Sequence, residues 1–267
     1  MNHDSQHASE TNPPDNFQYP PLSKEPIPVV YRDEYFIAVN KPAGLLVHRA
    51  KQTPSDEPIL LQTLRDQIGQ FLYPAHRLDR PTSGLIIFGL CSDAAAKLVH
   101  LFTTRQVTKK YLAFVRGFFP DELTVDMPLR ERFGEEQPDY DESCHPEQQA
   151  VTRFYGKRNY EIPWPSQDFG TSRYALVEAV PETGRWHQIR RHLKHIAHPI
   201  IGDHRHGDNT HNHVFEEKIG LNRMLLAAIE LKFMHPYTRE PLALQADVGP
   251  IFTDVLTQMD RLDQLMR

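Results

Sequence analysis

His76-Arg77-Leu78-Asp79-Arg80-Pro81-Thr82-Ser83-Gly84, followed at once by the apolar run Leu85 to Cys91, decides how the fold of this chain is read. A turn rich in Pro, Thr, Ser and Gly feeds a run too apolar to alternate, which marks a buried strand over Leu85 to Leu90. Working outward, Thr108 to Arg116 and Tyr174 to Val180 are also rich in strand formers. Phe36-Ile37-Ala38-Val39 reads as a buried strand ended by the turn Asn40-Lys41-Pro42-Ala43-Gly44. Short strands are expected at Leu231 to Phe233 and Leu242 to Leu244. Leu60, Leu61, Leu64 and Ile68 share one helical face. Ser92 or Asp93 can cap a helix running to about Thr104, and His187 to Ala197 reads as a helix after the Thr183-Gly184 turn. Ile251, Phe252, Val255, Leu256, Met259 and Leu262 form a helical stripe near the C-terminus. Strands and helices mix without a βαβ rhythm, so a doubly wound parallel sheet is disfavoured. One α+β domain over 29–267 is expected.

Residues 1–28 are polar, hold six prolines and show no period, which predicts a disordered arm. Residues 134–146 are acidic and read as an exposed excursion. The composition, 39% apolar and 24% charged, is ordinary for a soluble protein. Two cysteines are too few for a disulfide framework and favour a reducing, cytoplasmic setting. The longest apolar run falls far short of the ~20 residues that span a bilayer, and no signal peptide begins the chain. Membrane, secreted and fibrous classes are thereby disfavoured.

The net charge of −5 hides a segregation. Lys97 to Arg116 carries five bases and no acid; Arg173 to Arg205 carries six bases, three acids and five histidines; Asp121 to Glu147 carries ten acids and two bases. Basic blocks of this kind attract anions locally, nucleic acid among them, or are simply solvated faces.

Asp79 stands between two arginines on a loop that a buried strand holds. Guanidinium neighbours favour the charged form of a carboxylate, which suits a nucleophile or base better than an acid; the same pair could instead pin a turn. Thr183 to His192 looks like a turn entering a basic helix, whose N-terminus adds positive partial charge toward phosphates while Ile189, Leu193 and Ile196 pack inward. Lys109-Lys110-Tyr111 reads either as strand packing or as a stacking platform flanked by phosphate-binding lysines. Seven histidines between His192 and His213 show no metal-ligand spacing, and His211-Asn212-His213 reads as loop. No phosphate-binding glycine loop occurs.

Together these segments resemble the RluA-type pseudouridine synthases. Val39-Asn40-Lys41-Pro42-Ala43-Gly44 with Val47-His48 resembles that family's first motif, and His76 to Leu85 its catalytic motif. Gly184 to Arg190, His198-Pro199-Ile200 and Gly202-Asp203 resemble its third, and Lys110-Tyr111 stands where the family has its active-site tyrosine. Ala75 to Gly84, Thr171 to Glu178 and Arg190-Arg191-His192-Leu193 are most similar to the branch acting on uridine 65 of tRNA. The resemblance implies a single catalytic domain with a mixed, mainly antiparallel central sheet flanked by helices, and an active-site cleft across it. It implies an isomerase working on tRNA that needs no cofactor and no metal; the chain is separately expected to act as a monomer away from membranes. Asp79 would act at the ribose, by attack on C1′ or by removing the C2′ proton. Arg190 would pair with Asp79, and Tyr111 would stack on the flipped uracil and offer its hydroxyl for the C5 proton. Arg77 would fill the vacated base stack. Arg80, Lys109, Lys110, Arg185, His187, Arg191 and Lys194 are the further expected RNA contacts. A 23S ribosomal RNA target in the same family, a glycosidase and a non-catalytic RNA-binding module are the competing readings.

Overall fold

The computed structural model describes residues 25–49, 53–130, 146–165 and 169–266. The proline-rich 1–24 part of the expected arm, and the acidic excursion as far as 145, lie outside the described residues.

In chain order the elements are β1 (Val29–Arg32), β2 (Phe36–Lys41), α1 (Leu60–Ile68), β3 (Tyr73–Pro74), β4 (Ser83–Gly89), α2 (Ser92–Thr103), β5 (Thr108–Arg116), β6 (Glu122–Asp126), β7 (Leu129–Arg130) and β8 (Glu147–Gln148). β9 (Val151–Ile162), β10 (Ser172–Pro181), α3 (Gln188–His195), α4 (Asn209–Ile219), β11 (Leu226–Met234), β12 (Pro241–Gln245) and α5 (Pro250–Gln264) follow. Ten strands form one sheet in the order β1-β2-β4-β11-β5-β10-β9-β6, with β12 on β11 and β3 on β4. Every pairing is antiparallel except β4 with β11. The fold is α+β with a mixed, mainly antiparallel sheet.

The parallel junction sits mid-sheet, and β4 there is buried along its whole length, which is why its sequence is a continuous apolar run. Gly84 makes the junction possible. Its φ is +107°, and a Cβ there would stand 2.1 Å from the Ala228 carbonyl oxygen, so no side chain fits.

Alternation along the central strands sorts side chains to two faces. Ala113 and Val115 of β5, and Ala175, Val177 and Ala179 of β10, meet Ile189 and Leu193 of α3 on one face. Phe114, Tyr174 and Ala227 meet Phe215 of α4 and Phe252, Val255 and Met259 of α5 on the other. A third cluster holds β2 and β4 against α1 and α2. Tyr111 packs against the first and third clusters, so it stands where they meet.

Several local expectations change. β2 continues through Asn40 and Lys41, so the turn starts at Pro42. The residue capping α2 is Cys91, with no side-chain cap bond; Ser92 is already helical and Asp93 accepts from the Tyr237 hydroxyl instead. His211-Asn212-His213 is not loop but lies in α4. The Asp208 carboxylate caps that helix, accepting from the Thr210 and His211 amides, and Gly220 ends it in the left-handed region.

Candidate active site

The loop before β4, the pocket-facing side of β5 and the turn between β10 and α3 enclose a cleft of about 640 Å³. Asp79, Tyr111 and Arg190 all line it, with Arg77, Lys109, Arg185 and His187. Arg80, Lys110, Arg191 and Lys194 are not among its lining residues.

The loop carrying Asp79 is fastened from both sides. His76 accepts the Ile87 amide at its Nε2 (3.1 Å) and stacks on Phe102 at 4.3 Å. Burial pushes its imidazole down to about 3, which keeps it neutral and an acceptor. The Thr82 amide donates to the Asp79 carbonyl (3.1 Å), closing the turn. Lys41 is wholly buried, and its Nζ donates to the carbonyls of Pro42 (2.9 Å), Leu45 (2.9 Å) and Arg80 (3.1 Å). Burial lowers its ammonium to about 7. The Gly44 amide also donates to the Arg80 carbonyl, and Arg80 Nε returns a bond to the Gly44 carbonyl while its Nη2 pairs with Glu57 at 2.7 Å. The Asn40-Lys41-Pro42-Ala43-Gly44 segment is thus a buckle for the Asp79 loop, and Arg80 belongs to the buckle.

On the opposite wall Gln188 spends its whole amide on the turn. Its Oε1 accepts from the Thr183 hydroxyl (2.7 Å) and the Arg185 amide (3.0 Å), and its Nε2 donates to Val151 and Thr152 of β9. Arg190, one turn into the helix, is 4% exposed and donates twice to Asp203, Nε to Oδ2 at 2.7 Å and Nη2 to Oδ1 at 2.8 Å. Its remaining Nη1 donates to Asp79 Oδ2 at 3.3 Å. Burial alone would lower the Arg190 pKa, but the two carboxylates raise it above its ordinary value. Asp203 was not singled out as a site residue from sequence. The available signals were its place in the Gly202-Asp203 stretch and its isolation, as the one acid between Thr183 and Gly207.

Tyr111 and Lys109 share a side of β5. The Tyr111 phenol is raised above its ordinary value by burial and then by the charge of Asp79, so it enters any reaction protonated. Lys109 donates to the Thr183 carbonyl at 3.1 Å, and burial lowers its ammonium to about 8. Lys110 points to the other face, 3.7 Å from both Glu178 and Glu230. Arg185 donates to the Gln149 carbonyl at 3.2 Å, and Arg191 to that of Arg130 at 2.9 Å, while Arg77 and Lys194 are exposed. The clustered histidines have separate partners. His192 contacts Thr152 and Met127, His198 the Arg116 carbonyl, and His211 the Tyr174 hydroxyl. Among the described residues no three His, Cys, Asp or Glu side chains converge as metal ligands would. No described helix is long and apolar enough to cross a membrane.

A cleft that holds a carboxylate facing an arginine, a protonated phenol and basic rims suits chemistry on a nucleotide. Comparisons with known proteins agree. A family model described as RNA pseudouridylate synthase matches residues 35–195. The chain is 42% identical over 238 residues to tRNA pseudouridine synthase C of Vibrio cholerae, covering 89% of this chain and 98% of that one. It is 43% identical over 230 residues to the protein of that name from Salmonella typhi, covering 86% and 88%. The solved structure of Human RNA Pseudouridylate Synthase Domain Containing 1 superposes with a TM-score of 0.66 at 25% identity, covering 85% of this chain and 86% of that one. The match spans both the Asp79 loop and the Arg190 helix that close the cleft, and the chain belongs to the RNA pseudouridylate synthase family.

Proposed function

We propose that this chain isomerises one uridine of tRNA, uridine 65, to pseudouridine, with Asp79 as the group that acts on the ribose. The observation carrying the reading is the half-engaged carboxylate. Asp79 Oδ2 faces Arg190, whereas Oδ1 makes no hydrogen bond to any described residue and is free for a substrate. The shared name of the bacterial relatives supports tRNA over ribosomal RNA as the target.

In this reaction the N1–C1′ bond breaks, the uracil turns within the cleft, C5 bonds to C1′ and the C5 proton leaves to solvent or to N1. Every heavy atom stays in the site, so the site needs an electron-pair donor at the ribose and a pocket that retains uracil. Asp79 supplies the first in both routes, whether it attacks C1′ or takes the C2′ proton. Arg190, fixed by Asp203, orients it without bending. Tyr111 stacks on the base, and its protonated hydroxyl can take the C5 proton only by handing on its own. The target base must leave its helix at a cost of a few kcal/mol, and Arg77, exposed at the cleft, would fill the gap. Lys109 and Arg185 are the cleft-side phosphate contacts, with exposed Lys194 further out. A monomer in the cytoplasm, with residues 29–267 as catalytic domain and 1–28 as an arm, completes the reading, and it requires no cofactor or metal.

The test is pseudouridine mapping by carbodiimide adduct and primer extension on RNA from cells with and without the gene. Loss of the single signal at tRNA position 65 is expected. A signal lost from 23S ribosomal RNA instead would contradict the choice of substrate, and release of free uracil by the purified chain would favour a glycosidase.

A further inference from the structure

We infer that His206, acting through His187, selects which oxygen of Asp79 reacts: the histidine pair holds Oδ2 and leaves Oδ1 to the ribose. The inference rests on Asp79 being the reacting group. His187 Nδ1 lies 2.9 Å from His206 Nε2, and His187 Nε2 lies 3.7 Å from Asp79 Oδ2, the oxygen that Arg190 also faces at 3.3 Å.

One proton is shared between the two rings, and the carboxylate decides who owns it. Were it on His187 Nδ1, the lone pair of His187 Nε2 would point at a carboxylate oxygen inside a half-buried site, where repulsion is poorly screened. With the proton on His206 Nε2, that N–H donates to His187 Nδ1, and the N–H of His187 Nε2 turns toward Oδ2. A charged pair does not compete. Burial and then the neighbouring Arg190 push His187 far below its ordinary value. Burial lowers His206 to about 3, with Arg190 opposing the pull of Asp203.

The backbone supports the assignment independently. His187 sits at φ +50° at the start of α3, in the left-handed region that ordinary residues avoid, and makes no side-chain cap bond there. Such a conformation is unfavourable and persists where the surroundings enforce it. Here the ring is stacked on Trp186 at 3.6 Å and 18°. His206 is anchored in turn, its amide donating to Asp203 Oδ1 at 2.9 Å and its ring edge-on to Trp186 at 5.8 Å. Asp203 therefore fixes both the arginine and the histidine arm that reach Oδ2. The 3.7 Å separation exceeds a hydrogen bond, and the relay requires it to shorten when substrate fills the cleft. His206 touches no substrate and is a positioning residue.

Two-bond proton–nitrogen correlation spectra of the full chain, labelled with nitrogen-15 in histidine, report each tautomer directly. Both His187 and His206 are expected as Nε2–H tautomers, and an Nδ1–H tautomer for His187 overturns the inference whether or not any variant folds. In steady-state assays on tRNA, H206F keeps a ring against Trp186 but loses the donor, whereas H206Q keeps a donor. H206F is expected to lose about tenfold to a hundredfold in kcat with KM nearly unchanged, and H206Q to recover most of it. Equal kcat for H206F and the unsubstituted protein, or equal losses for both variants, contradicts the relay. If the unsubstituted protein forms no pseudouridine, the Asp79 reading fails instead, and the tautomer result still stands for the pair.

Discussion

Asp79 and Arg190 are 111 residues apart, and they meet because each is held by groups that have no chemistry of their own to perform. Asp203 is the clearest of these. Burial alone would raise its pKa, but the Arg190 guanidinium, its hydrogen bonds and His206 outweigh that and hold the carboxyl down to about 2, against 3.8 when unfolded. The folded state thus binds its proton less readily than the unfolded chain, and stability from this group is present above pH 3.8 and lost as pH falls from there toward 2. Asp203→Asn leaves a buried guanidinium short of its partner and is expected to cost about 3–5 kcal/mol at neutral pH. Urea unfolding across pH should show that deficit shrinking below pH 3.8; a deficit constant with pH contradicts the pairing. On the proposed mechanism the ring and the hydroxyl of Tyr111 have separable duties. Tyr111→Phe is expected to bind tRNA normally and lose about a hundredfold or more in kcat, and full activity would remove the hydroxyl from the reaction.

At the scale of elements, β5 shows how alternation divides neighbouring residues that read alike in sequence. Lys109 faces the cleft and Lys110 faces Glu178 and Glu230. Lys109→Ala is expected to reduce the slope of log affinity for tRNA against log salt by about one, and Lys110→Ala to leave it unchanged; equal effects would place both on the RNA. The junction of β4 and β11 makes a stability prediction. Gly84→Ala drives a Cβ into the Ala228 carbonyl from a φ of +107° and is expected to cost about 3 kcal/mol or more. Gly69→Ala, also at positive φ but with nothing within 4 Å, should cost about 1 kcal/mol. Comparable losses in denaturant midpoints would contradict the close-approach account. Elements with a concentrated signal, such as the apolar β4 or the strand formers of β5, were legible in sequence. β9 was not, because Arg153, Gly156 and the Lys157-Arg158-Asn159 run interrupt its apolar pattern. α4 was missed because its face is built from His211, Asn212 and Phe215, and only Asp208 and Gly220 announce its ends.

Across the whole molecule, one sheet carries two apolar clusters that meet at Tyr111, and the cleft opens beside it. The place of Asp79 in the cleft was legible because its own nine residues carry the signal, an acid between arginines ahead of a turn and a buried strand. Its supports were not, since Lys41, Gln188, Asp203 and His206 gain meaning only from partners that folding brings near. The same limit applies to charge: Arg80 reads as one more base beside Asp79, yet it is spent on Gly44 and Glu57. The measurement that bears most directly on the account is single-turnover pseudouridine formation by the purified chain on a tRNA transcript, run beside Asp79→Asn. The account predicts stoichiometric conversion at one uridine by the unsubstituted chain. Asp79→Asn should give no detectable conversion while binding the transcript with unchanged affinity. Conversion by Asp79→Asn at a comparable rate would contradict it.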